Sequence, residues 1–136
     1  MKKLYIWLLL ITGSSFLYGV EEPVYTLATF LSCRKDVLEH SATLLGDFIG
    51  ACVEAGAYVF DYDCKALKDQ VSILATMKHG YASLNADFKK GRCIVGFFGD
   101  DKLYDHDRFL KKLGKFIGSS TMRKLSIKCG DHFSVK

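Results

Sequence analysis

The stretch TLLGDFIGACVEAGAYVF, Thr43 to Phe60, sets the first constraint on what this chain can fold into. It is mostly apolar, yet it carries Asp47 and Glu54 and the glycines Gly46, Gly50 and Gly56. A membrane-spanning helix would hold Asp47 in hydrocarbon, at a cost of about 2.5–3.5 kcal/mol for a central Asp. A two-faced helix in water avoids that cost. Leu44, Leu45, Phe48, Ile49, Cys52 and Val53 fall in one stripe at 3.6-residue spacing. His40, Asp47 and Glu54 are seven apart and line the other side, with about 20° of drift per heptad. The stretch therefore reads as a soluble amphipathic helix with an acidic stripe.

The chain opens MKKLYIWLLLITGSSFLYGVEEP. Lys2 and Lys3 precede an apolar run from Leu4 to Ile11, and Gly13, Ser14 and Ser15 follow it. The run is too short to span a bilayer, which takes about 20 apolar residues, and the layout is that of a secretory signal peptide over residues 1–19. Residues 20–136 then suit a single domain, with Pro23 as the only proline and no sign of a linker or repeat. Its charge is uneven. Residues 20–63 hold eight acids against Arg34 and Lys35, whereas residues 64–136 hold fifteen basic residues against seven aspartates. The expected outcome is that the two halves pack together and compensate. A chain so nearly balanced and bound for export excludes nucleic acid as a main target.

Element patterning predicts an α+β fold. Helical spacing runs from Thr26 through Leu27, Phe30, Leu31, Val37 and Leu38, with a polar break at RKDVLEHS, into the stretch above. A second helix is expected after GAYVFDYD, capped by Asp61 or Asp63, with Leu67, Val71, Leu74, Tyr81, Leu84 and Phe88 near one face and Gly91 past its end. Together these make a helical hairpin over about 26–56 and 63–90. RCIVGFF, residues 92–98, reads as a short buried strand. An amphipathic helix follows over about 105–117, ended by Gly118. MRKLSIKC then alternates, with Leu125, Ile127 and Cys129 facing inward, and a turn at Gly130-Asp131 leads into HFSVK as a C-terminal β-hairpin.

Five cysteines follow the signal: Cys33, Cys52, Cys64, Cys93 and Cys129. Export to an oxidising compartment favours bridges. On an antiparallel helical hairpin, residues equidistant from the turn face each other, so a nested pairing of Cys33 with Cys93 and Cys52 with Cys64 fits. The competing reading is buried reduced thiols packed as small apolar groups. Nested bridges on a helical hairpin resemble saposin-like lipid-binding proteins over Cys33 to Cys93, although the doubled outer cysteines of that family are missing.

The helix DHDRFLKKLGKFIG places Phe109, Leu110, Leu113, Phe116 and Ile117 on one face and Arg108, Lys111, Lys112 and Lys115 on the other. Such a face can meet an acidic protein partner or an anionic membrane surface, or can simply be solvated. Cys64 at a helix start, with His132 or His106 as base and Asp131 beside it, would make a thiol hydrolase. Cys129-x2-His132 is only half a zinc site, and Asp105-His106-Asp107 reads as a structural turn. No phosphate-binding glycine loop supports nucleotide binding, and no cofactor or metal is implied. The sequence points to an exported binding module working in the periplasm or outside the cell. The exported thiol hydrolase is the alternative.

Overall fold

β-branched and aromatic residues, not helical spacing, decide the first element. PVYTLATFL forms a strand, β1 (Pro23–Leu31), with Val24, Thr26, Ala28 and Phe30 buried on one side. The computed structural model describes residues 23–119 and 121–128. After β1 come a short helix α1 (Lys35–Leu38), helix α2 (Ser41–Glu54) and strands β2 (Val59–Ala66), β3 (Gln70–Met77), β4 (Gly80–Asp87) and β5 (Arg92–Asp100). Helix α3 (His106–Ile117) and strand β6 (Thr121–Lys128) complete the order. The strands form one six-stranded sheet in the order β2-β3-β4-β5-β1-β6, antiparallel at every pairing.

The helical hairpin expected over 26–56 and 63–90 is not formed. Its first arm is a strand up to Leu31 and becomes the long helix only from Ser41. Its second arm is three strands. In β3, Val71, Ile73, Ala75 and Met77 alternate inward, and in β4 Ala82, Leu84 and Ala86 do so. A period of two wins because these residues are buried by neighbouring strands as well as by helices. The chain reverses between Met77 and Gly80, which are paired. Gly80 is required there, since a Cβ would lie 1.9 Å from the carbonyl oxygen of Phe98.

The helix over residues 106–117 stands where its pattern put it. Asp105 caps it by accepting a hydrogen bond from the Arg108 amide, and Gly118 ends it at φ 65°. The apolar stripe of α2 is centred on Leu44, Phe48 and Cys52, but Ala51 joins it and Val53 is exposed. Helices α2 and α3 cover one face of the sheet. Phe48, Phe97 and Phe109 form the middle of the core, with Phe109 ring centroids 5.8 Å from Phe48 and 4.6 Å from Phe97. Among the described residues no helix is long and apolar enough to cross a membrane.

The C-terminal hairpin is also corrected. Strand β6 pairs with β1 at the sheet edge, with Thr26 opposite Ser126 and Leu27 opposite Leu125. That register turns Lys124 and Ser126 toward the helices, while Leu125, expected to face inward, is exposed. Residues 129–136, including the turn at Gly130-Asp131, and residues 1–19 lie outside the described residues.

Candidate functional site

The richest polar cluster gathers around the N-terminus of α3. A cleft of about 810 Å³ opens between the end of α2, the loop before α3 and strands β1 and β6. Thr26, Glu54, His106, Arg108, Lys124 and Ser126 are among its walls. His106 is buried at the base. Its Nε2 donates to the carbonyl of Gly99 at 3.1 Å, so Nδ1 accepts from the Thr26 hydroxyl at 2.8 Å. Thr26 in turn accepts from Ser126 at 3.3 Å. The imidazole therefore ties α3 to β5 and β1 as a neutral ring, and burial pulls its pKa down. It packs edge-on against Phe97 at 4.8 Å. With both nitrogens engaged, it offers no free base to the cleft.

The triplet Asp105-His106-Asp107, read as a structural turn, has three separate tasks. Asp105 caps the helix, His106 anchors it, and Asp107 takes the ammonium of Lys124 from β6. Among the described residues, no group of His, Cys, Asp and Glu side chains could hold a metal ion.

The four basic residues of α3 do not act as one set. Arg108 is bound to Glu54, its Nε at 3.0 Å and its Nη2 at 2.9 Å from the same carboxylate oxygen. This pair joins the acidic half of the chain to the basic half. Lys112 is half-buried, with its ammonium 5.3 Å from the centroid of Phe116. Lys111 and Lys115 are exposed. The four line a second, smaller depression of about 470 Å³ beside Glu54, Asp105 and Asp107. Of the acidic stripe, Glu54 is thus paired, and Asp47 is partly buried with its carboxyl pushed upward by desolvation.

Cys33, Cys52, Cys64 and Cys93 are free thiols, so neither Cys33–Cys93 nor Cys52–Cys64 is bridged. Without a helical hairpin, the geometry behind that pairing is gone. Burial drives the thiol of Cys52 up to about 12 and raises those of Cys93 and Cys33. Such thiols stay protonated and are poor nucleophiles. Cys64 lies mid-strand in β2 and half-buried, opposite Ile73, not at a helix start. The helix start expected to activate it is therefore absent. His132 and Asp131, its suggested partners, lie outside the described residues.

One surface escaped the sequence reading. The helices cover a single face of the sheet, and among the described residues nothing covers the other. Leu74, Tyr81, Ile94 and Leu125 are 46%, 40%, 38% and 55% exposed there. The signal was present in the apolar residues at both parities of β1 and β3, which a one-faced strand would lack.

No protein-family model matches the chain, and no curated protein sequence matches it. Among solved structures, the chain is similar to the crystal structure of the adenosylmethionine decarboxylase from Aquifex aeolicus VF5. The TM-score is 0.71 at 12% identity, covering 79% of this chain and 90% of that one. At that identity the likeness shows the fold alone.

Proposed function

We propose that this chain is a binding module that docks an acidic protein partner on the lysine face of α3. The observation that carries the reading is the division of α3 into a packed apolar face, with Phe116 half-buried at its border, and an outward cationic one. Phe109, Leu110, Leu113 and Ile117 are buried in the core, while Lys111 and Lys115 reach solvent. A helix whose apolar side is already used, apart from half-buried Phe116, has little to insert into a bilayer. The lysines are left to recognise charge alone, which favours an acidic protein surface over a membrane. Changing Lys111, Lys112 and Lys115 together to Gln keeps the fold by circular dichroism and abolishes binding to poly-glutamate, used as a model acidic polymer. Parent binding weakens steeply with salt, because exposed charges are screened over about 8 Å at physiological ionic strength. Binding indifferent to both salt and the triple change refutes the reading. Co-sedimentation with anionic vesicles in place of poly-glutamate binding moves the assignment to a membrane surface.

A second reading draws on the fold likeness. The solved structure of similar fold is an adenosylmethionine decarboxylase. The cleft beside His106, with its exposed Ser126 hydroxyl and mixed charges, would be where a small charged metabolite is held. Calorimetric titration with adenosylmethionine, together with a measurement of carbon dioxide release, separates this reading from the first.

A further inference from the structure

We infer that the open face of the sheet is a self-association surface, occupied by the same face of a second copy of this chain. Register fixes what the face displays. Asp61, Thr76, Tyr81, Phe98, Tyr25 and Ile127 lie side by side across the six strands. The next row is Asp63, Leu74, Ser83, Gly96, Leu27 and Leu125. The row after that is Lys65, Ser72, Asn85, Ile94, Thr29 and Arg123. Across these rows the four central strands carry no charge. Tyr81 stacks on Phe98 with centroids 5.3 Å apart, and Tyr25 leans toward Phe98 at 6.5 Å. This is an uncharged, partly aromatic centre, the composition found at the middle of protein–protein interfaces.

Three observations select a second copy as the occupant. The first is area. Strands about 4.8 Å apart, with residues about 3.3 Å apart, give six strands of eight residues a footprint of roughly 24 by 26 Å. Two such faces bury about 1,200 Å² or more, which enters the range of specific interfaces. The second is charge. The rim carries both signs, Asp61, Asp63, Asp87 and Asp100 against Lys65, Arg92 and Arg123. A strongly acidic or basic partner would call for a rim of one sign, whereas a mixed rim suits its own copy. The third is shape. A twisted open sheet packs face to face on another at about 30°, with side chains interdigitating across about 10 Å. Ser83 beside the larger Leu74 supplies relief, whereas the space over Gly96 is filled by Tyr25, whose hydroxyl lies 2.8 Å from where a Cβ would stand.

The dimer is four layers deep, with helices outside and sheets within, so α3 and its lysines stay accessible. This inference does not depend on the lysine reading. Sedimentation equilibrium of the full chain under reducing conditions tests it. The expected mass is twice 15.3 kDa, falling toward 15.3 kDa on dilution. Leu74→Lys, and separately Ser83→Arg, shift the chain to monomer with an unchanged circular dichroism spectrum, whereas Val53→Lys on the exposed helix layer leaves it dimeric. Hydroxyl-radical footprinting needs no variant. Leu74, Tyr81, Ile94 and Leu125 become protected as concentration rises, and Val53 and Tyr58 do not. A parent chain that stays monomeric at every concentration overturns the proposal. So does a concentration-independent protection of the face, which would assign its cover to residues 1–22. Protection of Val53 and Tyr58 in place of the sheet residues overturns it as well.

Discussion

At the residue scale, the most constrained side chain is His106. Thr26→Val keeps the shape of the site but removes the hydroxyl that serves Nδ1. A buried acceptor without a partner costs about 1–3 kcal/mol, and urea melts should show a loss of that size. The ring also sets a pH dependence. Burial lowers its folded pKa below 6.5, so between these values the unfolded chain binds a proton that the folded chain refuses. Stability is therefore full above about pH 6.5 and falls as pH drops through the lowered folded value. Melts of the parent between pH 7 and pH 5 should lose stability, and His106→Gln should flatten that slope whatever its overall cost. The thiols give a separate check. Peptide mapping after brief alkylation of native protein should find Cys64 modified, and Cys52 and Cys93 modified only in denaturant, as their raised pKa values and burial require.

At the element scale, α2 separates buried from solvated positions. Phe48 is fully buried against Phe109, so Phe48→Ala should cost about 3–5 kcal/mol. Glu54→Gln breaks only the partly exposed pair with Arg108 and should cost no more than about 1 kcal/mol. Chemical denaturation of both variants checks the order, and a reversal would mean that α2 faces the sheet the other way. The helices were legible because their burial has a single side, and β5 was legible as a strand because its apolar run is short and continuous. Helix α3 announced itself through Asp105, the spacing of Phe109, Leu110, Leu113 and Ile117, and Gly118. Strands β1, β3 and β4 did not, because Leu27, Leu74 and Tyr81 place apolar side chains on the uncovered face. Those residues fill in the gaps of an alternating pattern, and a filled alternation sampled at i, i+3 and i+4 imitates a helix. Val59 to Ala66 was hidden for a further reason. A register shift between Val59 and Asp61 breaks its parity, and as an edge strand it buries little. The candidate site was legible only in part. The basic helix was found, but Glu54 was read as free, and the bond from Thr26 to His106 joins positions that no local pattern connects.

At the scale of the whole molecule, the residues that disguised the strands and the residues that form the proposed interface are the same. A sheet face meant for water would place polar residues at Leu27, Leu74 and Tyr81, and the period of two in β1, β3 and β4 would then have been plain. Their apolar character makes sense if the face is covered in the working state. Association also changes what the lysines can do. Face-to-face sheets put one copy of Lys111, Lys112 and Lys115 on each outer surface, so the dimer presents two equivalent cationic faces pointing apart. Faces pointing apart cannot both seat on one flat surface, but long flexible acidic chains packed densely can reach around the particle and engage both, with an effective concentration that a single site lacks. The measurable consequence is kinetic. On densely immobilised poly-glutamate the parent should dissociate at least tenfold more slowly than folded, monomeric Leu74→Lys. On sparse poly-glutamate, where only one site can engage, the two should match. The triple Gln variant should remain dimeric and bind neither surface. Equal dissociation of parent and Leu74→Lys at high density would show that the outward lysine faces do not act together, even if each binds acidic chains and the sheets still pair.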